Sequence, residues 1–300
     1  MDFGHLPVMP AEAIDALAVR EGGRYVDGTI GGGGHARLIL DRIGAKGALL
    51  GMDRDPEAIR HLEETLRPAA PNLTLVQASF SLMEETLAEM GWGRVDGILL
   101  DLGVSSHQLD ASGRGFSFQK DEPLDMRLDP SDGETAAWWV NRLPEKDLAD
   151  VLYQYGGERA SRRIARFIVR AREEKPLTTT RELARIVRRA LGRPGRASRL
   201  DPATRTFQAL RLKTNRELEH LERFLEEAPR CLKPGGRLVI ISFHSLEDRL
   251  VKQALTPQRR VQAGLTCLAA LTPKPLRPKD PEVAANPRAR SARLRAGIRV

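Results

Sequence analysis

Cysteine is nearly absent from this chain. Cys231 and Cys267 are the only two in 300 residues, and neither sits at metal-ligand spacing from another. A disulfide framework and a cysteine-based zinc site are thereby excluded. No apolar run approaches the ~18 residues that a membrane span needs. The opening Met1-Asp2-Phe3-Gly4-His5 has neither the cationic start nor the apolar stretch of a signal peptide. Internal repeats and low-complexity tracts are missing as well. What is present is 41% hydrophobic and 29% charged residues, enough apolar material for a core and too much for a disordered chain. The expectation is a soluble cytoplasmic protein with about two domains, or one domain carrying a large insertion.

Acidic residues are outnumbered, 40 against 48 Lys and Arg, giving a formal charge of +8 and a sequence pI of about 9.9. That balance favours a polyanionic partner but says nothing about fold. The excess is concentrated. From Arg159 to Arg199 there are 14 basic residues and three acids (Glu173, Glu174, Glu182), a net of +11, so the rest of the chain sums to −3. Such a cluster is either a solvated helix face or a landing surface for nucleic acid, where neutralised phosphates release counterions. A second basic group, Arg288, Arg290, Arg293, Arg295 and Arg299, contains no acid.

The first hundred residues alternate short apolar runs with helical spacing. Strands are expected at Arg24–Asp27, Ala48–Met52 (stopping at Asp53), Leu73–Val76 and Val95–Leu100 (ending at Asp101), with helices at 35–43, from Pro56, and at 83–90. Four strands alternating with helices predict a doubly wound, mostly parallel sheet. From about Leu109 to Lys213 no buried strand is expected. Helical patterns follow one another there, as in 160–171 and 181–191. The open α/β pattern resumes with a helix up to Cys231, a Lys233-Pro234-Gly235-Gly236 turn and a strand Leu238–Ile241. At the C-terminus Leu294, Ala296, Ile298 and Val300 alternate with Arg293, Arg295, Gly297 and Arg299, which predicts a half-buried strand closing the sheet. The expected organisation is a first part of one α/β domain over 1–108, a helical insertion over 109–213, and the second part over 214–300.

Gly31-Gly32-Gly33-Gly34-His35-Ala36 follows a strand, opens a helix and fits G-x-G-x-x-[GA], with Asp53 ending the next strand about twenty residues on. No Gly-Lys-[Ser/Thr] follows, so a P-loop is excluded. Glycines there let a ligand approach the backbone, and a strand-end carboxylate accepts ribose hydroxyls. Either a dinucleotide or S-adenosylmethionine satisfies this pattern. Asp27, just before the loop, would repel a pyrophosphate but suits a ligand with a cationic amino-acid group. Phe80 follows the third strand, where a ring is placed to stack on adenine or to fill the core. Asp101 ends the fourth strand at the edge where open α/β sheets carry their chemistry.

Seven blocks make a more specific combination: Asp27–His35, Asp101–Asp110, Arg114–Phe118, Pro123–Arg127, Phe207–Arg211, Ser242–Arg249 and Asn286–Ser291. Together, and in this order, they closely resemble the ribosomal RNA small-subunit methyltransferase H family (MraW type), from His5 nearly to the C-terminus. The resemblance implies a class I S-adenosylmethionine-dependent methyltransferase fold, Rossmann-like, with an inserted all-helical substrate-recognition domain. It implies N4-methylation of a decoding-centre cytidine of 16S rRNA within the small ribosomal subunit, with no metal, no membrane, no stable protein partner, and a monomeric or dimeric state. Carried over by position, the donor contacts are Gly33, Gly34, His35, Asp53, Phe80, Asp101 and Gln108. Where the family has Ser-Ser-Pro-Gln, this chain has Ser105-Ser106-His107-Gln108, which bears on the placement of Gln108.

The amino nitrogen of cytosine is a weak nucleophile, so alignment and hydrogen-bond acceptors for its protons are what a site must supply. Asp101 is the candidate catalytic acceptor; the alternative is that it only orients the donor. Candidate substrate contacts are Arg114, Phe116, Trp139, His244, Ser245 and Arg288, with Arg127 a further phosphate candidate. A base taken out of its stack commonly rests on an aromatic ring, which singles out Trp139 or Phe116 beside Trp138. Two competing readings remain: an RNA-binding or ribosome-assembly factor without catalysis, and an NAD-dependent oxidoreductase resting on the glycine loop alone.

Overall fold

The computed structural model describes residues 6–110, 113–192, 201–256 and 268–300; Cys267 lies outside them. In chain order the elements are α1 (Pro10–Leu17), β1 (Arg24–Asp27), α2 (Gly34–Ile43), β2 (Ala48–Asp53), α3 (Pro56–Thr65), β3 (Leu73–Gln77), α4 (Met83–Glu89) and β4 (Val95–Asp101). Helices α5 (Ser106–Asp110), α6 (Ala136–Arg142), α7 (Glu145–Gly156), α8 (Ser161–Glu174), α9 (Thr180–Leu191) and α10 (Thr204–Thr214) follow. The chain ends with α11 (Glu217–Cys231), β5 (Leu232–Ser242), α12 (Ser245–Ala254), β6 (Leu268–Ala270), α13 (Asp280–Ala285) and β7 (Arg293–Arg299). Two compact units result, one made of residues 1–103 and 218–300, the other of 104–217.

In the first unit the described strands form one seven-stranded sheet, ordered β3-β2-β1-β4-β5-β7-β6. Strands β1 to β5 pair in parallel, while β7 runs antiparallel to both β5 and β6. This is the Rossmann-like methyltransferase order. Strand order reverses direction between β1 and β4, so a crevice opens beyond the carboxyl ends of those two strands. Tyr25, Val26, Leu49, Leu50, Ile98, Leu99 and Leu100 are almost wholly buried, as strands covered on both faces require. The helices start where local chemistry allows. Asp55 caps α3 by accepting the Glu57 N–H at 3.0 Å, and Pro56 takes the first helical position.

Two expectations need correction. The C-terminal strand does not close the sheet: β7 is interior, and β6 forms that edge. Nor is its arginine face open to water. Helix α12 covers it, and buried Asp248 accepts hydrogen bonds from Arg293 at 2.9 Å and Arg295 at 2.7 Å. Burial opposes the Asp248 charge, yet these two arginines hold its carboxyl below the usual range. The Lys233–Gly236 turn, in turn, is not a boundary before the strand. It bulges out of β5, whose Leu232 pairs with Val95 and Arg237 with Gly97.

The second unit has its own core, built from Leu124, Met126, Val140, Leu148, Leu152, Ile164, Ile168, Leu183, Val187, Phe207 and Leu210 among others. Its described residues are helical apart from loops and an isolated bridge, Pro123 to Thr179. Helix α9 begins with a capping box: Thr179 accepts the Glu182 N–H while Glu182 accepts the Thr179 N–H. Backbone N–H groups led by Thr178, together with Lys175, pull the Glu182 carboxyl down to about 2. Among the described residues, no helix is long and apolar enough to cross a membrane.

A carboxylate-lined crevice at the strand ends

Three acids end the strands that border the crevice: Asp27 on β1, Asp53 on β2 and Asp101 on β4. The glycine loop ties them together. Thr29 N–H donates to Asp27 Oδ1 at 3.2 Å, Asp101 N–H donates to Thr29 Oγ1 at 2.6 Å, and Gly31 N–H donates to Asp53 Oδ2 at 2.9 Å. Asp53 Oδ1 also accepts the Asp55 N–H at 2.9 Å. Gly33 caps α2 at φ +77°, and a Cβ there would lie 2.8 Å from Leu62 Cδ2. The left-handed backbone favours glycine at that point, and the leucine tip would have to move for any larger residue.

Electrostatically the acids are unfavourably placed. Burial, with a smaller push from Asp53, raises Asp27 to about 7. Burial raises Asp53 to about 6 against its backbone hydrogen bonds. Asp101 lies well above the ordinary carboxylate range because of burial, Asp27 and Glu247. Its Oδ1 is buried without a hydrogen-bond partner, and its Oδ2 lies 3.8 Å from His35 Nδ1. His35 Nε2 donates to the Val8 carbonyl at 2.9 Å, which turns Nδ1 toward Asp101. Phe80, whose Cβ lies close to Gly28, meets Phe224 edge to face, centroids 5.7 Å apart. A crevice of this kind accommodates a positively charged ligand and disfavours an anionic one.

Residues 2–299 match the MraW methylase family. The chain belongs to this family. It is 51% identical to ribosomal RNA small subunit methyltransferase H of Geotalea uraniireducens, covering all of this chain and 99% of that one. With its Stenotrophomonas maltophilia counterpart it shares 49% identity over 97% of this chain and 92% of the relative. Among solved structures, Aeropyrum pernix fibrillarin with bound S-adenosyl-L-methionine aligns over 96% of this chain and 73% of that chain, at 13% identity and a TM-score of 0.42.

The positions expected to contact the donor fall in both units. Gly33, Gly34, His35, Asp53, Phe80 and Asp101 lie together in the sheet unit. Gln108 belongs to the other, where its Oε1 accepts the Ser105 N–H at 2.8 Å and its own N–H donates to Ser105 Oγ at 3.2 Å. That reciprocal pair closes the turn into α5 with histidine in place of the proline.

The expected substrate contacts are less uniform. Arg114 is buried, with Nη1 on the carbonyls of Leu128 at 2.7 Å and Arg127 at 3.2 Å. The Arg127 fork is taken by Asp125 at 2.8 and 2.9 Å. Both guanidinium groups are engaged within the unit, Arg114 by carbonyls and Arg127 by a carboxylate. Phe116 is likewise buried, under the Arg114 guanidinium. Trp139 is half-buried, with the Lys213 ammonium 4.8 Å from its ring centre. The exposed ring of this pair is Trp138, at 38%. His244 caps α12, accepting the Glu247 N–H at 3.4 Å. Ser245 is exposed at the start of α12, and Arg288 is half-buried on a short turn, Pro287–Ser291.

Sequence reasoning passed over Thr29, which links two of the acids, although it lies inside the recognised block. It also missed Glu247, which raises Asp101. The structure shows a capping box there, His244 with Glu247, but histidine at the cap position is not the Ser/Thr that marks such a box in a sequence. A third omission is His220, whose Nδ1 lies 2.8 Å from Ser81 Oγ beside Phe80.

Proposed function

We propose that this chain transfers a methyl group from S-adenosylmethionine to the exocyclic N4 of a cytidine in 16S rRNA of the small ribosomal subunit. The reading is carried by the three strand-end carboxyls, whose charged forms burial and mutual repulsion disfavour. S-adenosylmethionine offsets that penalty with an ammonium and a sulfonium, and the unpartnered Asp101 Oδ1 fits a hydrogen-bond donor. A pyrophosphate would add negative charge to the same crevice, which removes the support for an NAD-dependent oxidoreductase.

When bound, S-adenosylmethionine supplies an electrophilic methyl carbon on a good leaving group. This chain's residues supply placement and proton handling. Asp53 accepts ribose hydroxyls while the glycine loop brings backbone close, and Phe80 offers a ring face to the adenine. Asp101 takes a proton of the cytosine amino group at Oδ1, returning electron density to a nitrogen whose lone pair is otherwise spread into the ring. His35, fixed by the Val8 carbonyl, stands with Nδ1 3.8 Å from the Asp101 carboxyl.

The test is transfer of labelled methyl from S-adenosylmethionine onto small subunits lacking the modification, followed by nucleoside analysis. N4-methylcytidine is the expected product. RNA binding without any transfer would replace this reading with that of an assembly factor. For Asp101→Asn, turnover should fall on the order of 100-fold with donor affinity little changed. Near-normal turnover with weakened donor binding would reduce Asp101 to an orienting role.

A further inference from the structure

Six of the fourteen basic residues noted in the sequence form two ordered rows; Arg193, Arg196 and Arg199 lie outside the described residues. On α8, Arg162, Arg166 and Arg170 recur every four residues, and on α9, Arg181, Arg185 and Arg189 do the same; all six are exposed. The opposite faces bury Ile164, Ala165 and Ile168 from α8 and Leu183, Ala184, Val187 and Ala190 from α9 in one core. The two helices pack against each other, so their outward rows belong to one surface. Four residues of helix rise place neighbouring arginines about 6 Å apart along each row. Packed helices set the rows roughly 8–10 Å apart.

A merely solvated face would not look like this. Such faces alternate charge, whereas like charges at this spacing destabilise a helix by a few tenths of a kcal/mol per pair. Within the rows, Arg166 and Arg181 have acidic neighbours, Glu145 at 3.7 Å and Asp121 at 3.6 Å. Among the described residues, no acid lies within ion-pair reach of Arg162, Arg170, Arg185 or Arg189. Glu173 and Glu174 stand at the far end of α8, and Glu182 is occupied by the α9 cap and Lys175. For those four arginines, self-repulsion is retained without an acidic partner among the described residues.

We infer that the outward face of α8 and α9 is a docking surface for the phosphate backbone of duplex RNA. This rests on the proposed function, which makes rRNA the substrate. Binders of single strands set aromatic rings among their basic residues so that bases stack. The aromatic residue on these two helices is Phe167, half-buried beneath the Arg163 guanidinium. Two arginine rows without free rings suit recognition of an A-form helix by shape and phosphate position. The surface adds affinity and orientation, not base choice.

The experiment compares the intact enzyme with a quadruple variant, Arg162→Gln, Arg170→Gln, Arg185→Gln and Arg189→Gln. A control of equal charge change carries Lys46→Gln, Arg60→Gln, Arg67→Gln and Lys252→Gln, all exposed in the sheet unit. For the α8/α9 variant, affinity for small subunits should fall on the order of tenfold or more. The dependence of log affinity on log salt should flatten by about 0.9 or somewhat less for each phosphate no longer neutralised. Donor affinity and turnover at saturating subunits should be unchanged, and thermal stability unchanged or raised. Duplex RNA should compete with subunits better than a single-stranded homopolymer of equal length. An unchanged salt slope, an equal effect in the control, or equal competition by the single strand would overturn the assignment. Wild-type methyl transfer reports separately on the proposed function, since it persists if only the docking surface is wrong.

Discussion

Asp27 is the residue at which the proposed donor site makes its most direct prediction. Its carboxyl is pushed up to about 7, first by burial and then by Asp53, while Asp53 itself reaches about 6. A cationic donor binds the ionised forms. Donor affinity should therefore rise between about pH 5 and pH 8, with protons released on binding, as calorimetry in buffers of different ionisation enthalpy would read. A flat pH profile would contradict the account. Stability carries the opposite sign. Between the ordinary value of 3.8 and about 7, folded Asp27 keeps a proton that the unfolded chain has lost, so stability declines as pH rises through that window. Asp27→Asn keeps an oxygen for the Thr29 N–H. It should stabilise the ligand-free protein at pH 8 by about 1–3 kcal/mol in denaturant titrations, and weaken donor binding tenfold or more. A destabilised variant would show that the carboxylate is structural. These three acids were legible in the sequence because a strand-end carboxylate directly follows an apolar run. Glu247 was not, because only the sheet order brings the β5–α12 junction to the end of β4.

At the level of elements, α6 decides which of two adjacent rings faces solvent, and the exposed one is the better candidate to stack on a base. Adjacent helical positions point about 100° apart, and here that angle separates two tryptophans of similar sequence appeal. Trp139 turns into the unit and meets Lys213, while Trp138 keeps 38% of its surface in solvent. Loss of a stacked base costs about 1–3 kcal/mol. Trp138→Ala should therefore lower methylation efficiency on subunits roughly 5- to 100-fold while leaving the melting temperature nearly unchanged. Phe116→Ala should instead lose about 3–5 kcal/mol of stability, because its ring is buried in the core. The reverse pairing of effects would return the stacking role to Phe116. Periodicity located most of these elements, since the apolar stripes of α2, α8 and α9 stand at 3–4 spacing. It misplaced the last strand because alternation cannot distinguish arginines facing water from arginines facing Asp248. Nor can it reveal β6, three residues long and held by pairing with β7.

Considered as a whole, the molecule places about 114 residues inside one connection of a sheet, between β4 and α11. Such an insertion is thermodynamically tolerable because closure entropy grows only with the logarithm of loop length. What makes it separable is that the cores do not share residues. The two clusters flanking the sheet draw on residues 8–102 and 221–296, whereas the helical cluster draws on 116–210. The proposed donor residues follow the same division, with Gln108 the exception. Replacing 104–217 by a short Gly/Ser linker should then leave a folded sheet unit that binds S-adenosylmethionine, weakened no more than about tenfold by the missing Gln108. Methyl transfer to subunits should be abolished, because Trp138 and the arginine rows go with the insertion. Calorimetry and circular dichroism on the excised variant check both halves. A sheet unit that folds but no longer binds the donor would show that the insertion completes the donor site. One that still methylates subunits would show that rRNA is recognised by the sheet unit itself.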